Sequence, residues 1–219
     1  MDGSIRHFVW HTFDVRPDLP DGWQADLLAI SESAVSRALT PTSVTSREDS
    51  SVRQVPVSTV GGLTLDEKAP WLLELYRTLF RDLGQSIVNE KLSTARDPRI
   101  SINLNVQRGS AMRYEAHVDS NPLEGLLYVT DHPAGSGGEL VVSQVMGARG
   151  IREIEENAAI IYPKAGHLVF FDAREHAHYV RPLRSADGVR VVAAMNFYTP
   201  SCSEDDRPAD LNRHLFGTD

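Results

Sequence analysis

From Ile100 onward apolar residues recur at every second position: Ile100, Ile102, Leu104 and Val106 alternate with Ser101, Asn103 and Asn105. A period of two buries one face of an extended strand and leaves the other polar, so the second half of the chain reads as mainly strands. Further strands are predicted at residues 125–130, 139–144, 158–162, 167–171, 177–183 and 189–198. Turn-forming stretches separate them, among them Asp131-His132-Pro133-Ala134-Gly135, Pro163-Lys164-Ala165-Gly166 and Ser185-Ala186-Asp187-Gly188. The first hundred residues read differently. Residues 7–15 alternate as one strand, and Pro20-Asp21 introduces a helix with Trp23, Leu27, Ile30 and Ala34 on one stripe, ending near Leu39. Thr64-x-x-Glu67 has the form of a capping box, Pro70 suits an early turn, and Trp71, Leu72, Leu75, Leu79, Phe80 and Leu83 form a second helical stripe. Between these helices, 8 of the 20 residues 41–60 are Ser or Thr, which predicts an exposed loop and a candidate lid. Helices followed by many short strands point to a mainly β fold with flanking helices, a sandwich or barrel.

With 219 residues and no repeat or compositional break, the chain reads as one domain, 1–219, with 1–99 as helical support and 100–199 as the β core. Its 22 Lys and Arg against 30 Asp and Glu give a net charge of -8, and no basic cluster stands out, which argues against nucleic acid as a partner. Residues 1–10 lack the charged-then-apolar pattern of a signal peptide, and no apolar run is long enough to cross a bilayer. The expectation is a cytoplasmic protein acting on a small molecule, away from membranes, with a homodimer left open. The single cysteine, Cys202, cannot form an internal disulfide and has no neighbours that would make it a nucleophile.

His117-Val118-Asp119 carries the chemistry. Residues two apart in a strand point to the same face, so this imidazole and carboxylate can grip one ion together. A second imidazole from a distant strand would complete the two-histidine, one-carboxylate facial triad that holds non-haem Fe(II) and leaves positions open. His176 and His178 share strand parity, and either can be that third ligand.

The motifs around these residues resemble, in order, those of the Fe(II)/2-oxoglutarate oxygenase superfamily, and specifically its prolyl-4-hydroxylase-like branch. Tyr114-Glu115-Ala116-His117-Val118-Asp119 is similar to the first metal strand. Leu127-Tyr128-Val129-Thr130 followed by Gly137-Gly138-Glu139 resembles the central strand and turn, and Tyr162-Pro163-Lys164-Ala165-Gly166-His167-Leu168-Val169-Phe170-Phe171 the strand before the distal histidine. The resemblance covers roughly residues 100–199. Within the branch, His117-Val118-Asp119-Ser120-Asn121-Pro122 and Asn103-Leu104-Asn105-Val106-Gln107-Arg108-Gly109 are most similar to small enzymes that hydroxylate or chlorinate free amino acids such as lysine. The resemblance implies a distorted double-stranded β-helix (jelly roll, cupin-like) with Fe(II), 2-oxoglutarate as cosubstrate and O2. Succinate and CO2 are released as an unactivated C–H bond is oxidised. The cofactor carries the hard chemistry while the protein positions and shields.

The resemblance also implies site roles. The family commonly has a proline four positions after the distal ligand, and Pro182 stands so to His178, which makes His117, Asp119 and His178 the implied metal ligands and catalytic centre. A guanidinium matches a carboxylate bidentately, so 2-oxoglutarate implies an arginine, and Arg190 is preferred over Arg181 and Arg184. Tyr114 and Asn105 are further candidates at the cosubstrate. Alternation then puts Asn196 on the same face of its strand as Arg190, as a candidate for orienting substrate or satisfying backbone. For a substrate carboxylate, Arg53 in the expected lid is the candidate, with Arg108 and Arg113 as alternatives. Asp119 argues against halogenation, for which the family carries a small residue at that position. The leading expectation is a hydroxylase of a free polar or cationic amino acid. A hydroxylase of a peptidyl or carrier-tethered residue, or a non-redox metal-binding jelly roll, are the alternatives.

Overall fold

The computed structural model describes residues 8–172, 174–209 and 211. The strands among the described residues are β1 (Trp10–Asp14), β2 (Val35–Leu39), β3 (Val55–Val60), β4 (Ser93–Thr94), β5 (Ile102–Arg108), β6 (Leu123–Tyr128), β7 (Leu140–Ser143), β8 (Ala158–Ile161), β9 (His167–Phe171), β10 (His178–Val180) and β11 (Val189–Tyr198). They form two antiparallel sheets. The larger has the order β1-β9-β6-β11-β5-β3-β2, with the short β4 also on β11, and the smaller has the order β10-β7-β8. Isolated bridges Ser46↔His117 and His117↔His178 extend the smaller sheet beyond β10. The result is a distorted double-stranded β-helix.

Alternation along β11 decides which residues face which layer. Val191, Ala193, Met195 and Phe197 are buried in the outer core, under Leu72, Leu73, Tyr76 and Phe80 from the helical layer. That layer comprises α1 (Trp23–Ser31), α2 (Gly62–Lys68), α3 (Pro70–Leu75), a π-helical turn (Tyr76–Phe80) and α4 (Arg81–Gln85). Burying each such Leu or Phe is worth about 1.5–3 kcal/mol, so this face anchors β11 firmly. The opposite face, with Val192 and Ala194, joins Leu126, Tyr128, Leu140, Val142 and Phe171 between the sheets. The Tyr76 hydroxyl donates to the Asn196 carbonyl at 2.5 Å and accepts from the Ala95 amide at 2.7 Å, tying the helical layer to the end of β11.

Several expectations are corrected. The first helix stops at Ser31, and the residues expected to prolong it to Leu39 form β2, which pairs with β3 from Val35↔Thr59 to Leu39↔Val55. Strand pairing with a distant segment overrides the helical spacing. Residues 41–60 are not an exposed lid: Ser43, Thr45, Ser46 and Glu48 are buried, and β3 lies within the large sheet. Their polar side chains are compatible with burial because the main chain and Glu48 bond the metal-motif strand. Thr64 lies inside α2, whose N-cap is Gly61 with no side-chain cap, so Thr64-x-x-Glu67 is not a capping box here. Two further helices, α5 (Pro98–Ser101) and α6 (Gly150–Glu156), were not anticipated; α5 occupies the expected start of the first long strand, which begins at Ile102. The expected strand start at His7 lies outside the described residues, and β1 begins at Trp10. Among the described residues, no helix is long and apolar enough to cross a membrane.

Candidate active site

Residues 114–121 run along the edge of the smaller sheet, held on both sides by main-chain bonds. The His117 amide donates to the His178 carbonyl at 2.9 Å and the His178 amide to the His117 carbonyl at 2.8 Å. On the other side, the Arg47 amide donates to the Ala116 carbonyl at 2.7 Å and the Val118 amide to the Thr45 carbonyl at 2.9 Å. Glu48, 7 % exposed, completes the clamp. Its carboxylate accepts from Arg113 at 2.5 and 2.8 Å and from the Ala116 amide at 2.6 Å. Arg113 is thereby committed, and Arg108 pairs with Glu32 at 3.0 Å near the surface. Neither alternative guanidinium is at the cavity.

One ligand atom each from His117, Asp119 and His178 lies within 4.8 Å of the others. His117 Nε2 stands 3.5 Å and His178 Nε2 3.9 Å from Asp119 Oδ1. His117 Nδ1 lies 2.8 Å from the Glu115 carbonyl and His178 Nδ1 3.1 Å from the His176 carbonyl. A carbonyl only accepts, so both rings carry their proton on Nδ1 and turn the Nε2 lone pair inward, as a metal requires. Burial, aided by the nearby His117, brings His178 down to about 4, so this imidazole is neutral at ordinary pH. At His117 burial also opposes charge, but the hydrogen bond and charge of Asp119 outweigh it and the ring titrates above its usual value. Burial would raise Asp119 as well, yet His178 and His117 hold it below the ordinary carboxylate value. Asp119 Oδ2 is buried without a hydrogen-bond partner. An orphaned carboxylate oxygen between two inward lone pairs fits a divalent cation.

His176 sits elsewhere. Its Nδ1 donates to the Ser143 carbonyl at 2.8 Å, and its ring packs edge-on against Phe8, centroids 5.3 Å apart. Because β10 begins only at His178, strand parity does not extend to His176.

Beside the triad lies a cavity of about 100 Å³ between the sheets. Arg190, Val192, Ala194 and Asn196 line it from β11, with Asn103, Asn105, Tyr114, Glu124 and Arg207. Arg190 is 2 % exposed; its Nε donates to the Gly138 carbonyl at 2.8 Å and its guanidinium carbon lies 5.5 Å from the Tyr128 ring centroid. Burial lowers its pKa, and the groups that oppose this are the tyrosines Tyr128 and Tyr114, with no carboxylate among them. A buried cation without an anion is costly, and the dicarboxylate 2-oxoglutarate fits the gap. Gly138, at φ +80°, makes room for it, since a Cβ there would stand 3.1 Å from Arg190 Cδ and 2.9 Å from Leu183. The alternatives are committed elsewhere: Arg181 pairs with Glu155 at 2.8 Å, and Arg184 is exposed.

Asn105 Oδ1 accepts from Asn103 at 2.6 Å and from the Tyr114 hydroxyl at 3.3 Å, a polar chain along one wall. Asn196 lines the cavity while its Nδ2 donates to the Ile100 carbonyl at 2.6 Å. Arg53 is exposed and does not line the cavity. Among the residues that do line it is another arginine, Arg207. Sequence reasoning missed Glu48, Glu124 and Arg207. Glu124 left a signal, a carboxyl in an apolar strand in phase with Leu126 and Tyr128, but the expected strand began one residue after it. Glu48 and Arg207 left none, since their contacts are with distant segments.

Residues 100–198 match the family model of the 2OG-Fe(II) oxygenase superfamily. Among solved structures, the non-haem α-ketoglutarate-dependent epimerase SnoN from nogalamycin biosynthesis superposes with TM-score 0.61 at 15% identity, covering 97% of this chain and 87% of that one. AviO1 from Streptomyces viridochromogenes superposes with TM-score 0.62 at 15% identity, covering 91% and 93%. HygX from Streptomyces hygroscopicus, with nickel and 2-oxoglutarate bound, gives 0.58 at 11% identity, covering 88% and 84%. At these identities the likeness is one of fold. No curated relative matches the sequence significantly.

Proposed function

Since the chain belongs to the 2OG-Fe(II) oxygenase superfamily, we propose that it is a C–H hydroxylase of a free polar or cationic amino acid or a closely related small metabolite. Its cofactor is Fe(II), with 2-oxoglutarate and O2 as cosubstrates. The observation that carries the substrate reading is the small, charged cavity beside the triad. About 100 Å³ is well below the ~300–1,000 Å³ of pockets for drug-sized ligands. Its wall holds a second guanidinium, Arg207, besides Arg190.

In this reading His117, Asp119 and His178 hold the iron, and the Nδ1 bonds to the Glu115 and His176 carbonyls fix the tautomer of both rings and aim their Nε2 atoms at it. Bound iron with 2-oxoglutarate supplies the oxidising power for an unactivated C–H bond. Arg190 fixes the far carboxylate of 2-oxoglutarate, while Tyr114 and Asn105 border that subsite. Arg207 pairs with the substrate carboxylate, the role first expected of Arg53. Asn196, its amide held by the Ile100 carbonyl, offers a fixed polar edge to the substrate. Val180, Leu126, Val192 and Phe171 restrict water around the reacting carbon. Asp119 occupies the position that a halide would need.

The test is succinate formation with Fe(II), O2 and 2-oxoglutarate across a panel of free amino acids and the same residues within peptides. A gain of one oxygen on the free amino acid, read by mass spectrometry, is the expected result. Product found only on peptidyl or carrier-bound residues would replace this reading with that of a tethered-substrate hydroxylase.

A further inference from the structure

The inward face of β6 carries a carboxyl that the metal-ligand group does not include. Glu124 is 8 % exposed and lines the cavity. Its Oε2 accepts from Asn121 Nδ2 at 3.0 Å, and Asn121 is itself anchored on the Leu123 carbonyl at 2.8 Å, so the carboxyl is held in place. Among the described residues, no cation stands among the groups that act on it. Burial and the charge of Asp119 raise its pKa well above the ordinary value, against the smaller effects of Asn121 and the Met195 amide. A buried carboxyl that is fixed but lacks a countercharge is costly to ionise unless a ligand brings that charge.

We propose that Glu124 is a specificity-determining residue that receives an ammonium group of the substrate, so that the site selects a small cationic amine. It deepens the reading above by naming the charge of the substrate, and rests on that reading only for this cavity being the substrate site. An ammonium within hydrogen-bond reach would ionise the carboxyl and use its remaining lone pairs. A neutral hydroxyl would leave the charge complement unmet.

The probes are n-pentylamine and 1-pentanol, titrated calorimetrically without oxygen into the protein loaded with Fe(II) and 2-oxoglutarate. The wild type should bind the amine at least about tenfold more tightly than the alcohol. Glu124→Gln keeps shape and hydrogen bonding but removes the charge, and should weaken the amine about 100-fold, with the alcohol, Fe(II) and 2-oxoglutarate unaffected. Equal binding of amine and alcohol by the wild type overturns the proposal, and this comparison stands even if the variant does not fold. Amine binding unchanged in Glu124→Gln overturns it too. L-lysine and a lysine-containing peptide, titrated in parallel, test the other reading separately. If Glu124 governs the amine but the wild type retains only the peptide, the free-amino-acid reading falls and the Glu124 assignment stands. If L-lysine binds and is indifferent to Glu124→Gln, the reverse holds.

Discussion

The two ends of the cavity are held by different physics. At the triad end, position comes from directional main-chain bonds: residues 116–118 are paired on one side to residues 45–47 and on the other to His178, and the Glu48 carboxylate bolts the strand through Ala116 and Arg113. At the Arg190 end one main-chain bond, from Nε to the Gly138 carbonyl, is joined by room and packing, with Gly138 leaving space for the side chain and Tyr128 lying against it. The triad end therefore depends on the integrity of the fold, and the arginine end on local volume. Damage to the first should appear as lost metal or lost stability, and damage to the second as a weakened cosubstrate site in an otherwise intact protein.

The largest effect is expected at the triad. His178→Ala should abolish tight Fe(II) binding in an anaerobic titration, because it removes one of three converging ligand atoms. His176→Ala, which loses its bond to the Ser143 carbonyl, should cost at most about 10–100-fold. The reverse ranking would move the ligand to His176. Next comes Glu48→Ala, which leaves Arg113 and the Ala116 amide without their partner and should destabilise the fold by about 3 kcal/mol, with weaker Fe(II) binding. A melting temperature unchanged in this variant would show that the clamp does not hold the strand.

Arg190→Ala should raise the KM for 2-oxoglutarate about 100-fold, roughly 2.7 kcal/mol, with little change in stability or in the KM for the primary substrate. Arg184→Ala, on an exposed residue, should be nearly silent. Equal rises in both constants for Arg190→Ala would mean a structural role and erase the contrast between the two ends. The smallest effect separates volume from strain. Gly138→Ala and Gly135→Ala both put a side chain at positive φ, costing about 1–2 kcal/mol, but only the first meets Arg190 and Leu183, for Gly135 has nothing within 4 Å. A KM for 2-oxoglutarate raised about tenfold in Gly138→Ala alone is the expected outcome, and matching behaviour of the two variants would remove the packing argument.

How much of this was legible in the chain follows from the range of each interaction. Strand alternation is local, so β9 and β11 occur over the residues their patterns predict, and Arg190, Val192, Ala194 and Asn196 share the cavity face as period two requires. The spacing of His117 and Asp119 is equally local. The helical spacing that continued to Ala34 was outvoted by pairing between Val35 and Thr59, 24 residues apart, and the Ser/Thr-rich stretch taken for a lid is buried because a strand more than 60 residues away accepts and donates its main-chain bonds. The two-residue spacing of an extended segment, which the structure holds by isolated bridges at His117 rather than as a full strand, brought an imidazole and a carboxylate together. Only the tertiary structure decided which distant histidine faces them, which carboxylate clamps their strand, and that Arg207 and Glu124 share the cavity while Arg53 stays outside it, because these relations depend on segments that meet only when the sheets close.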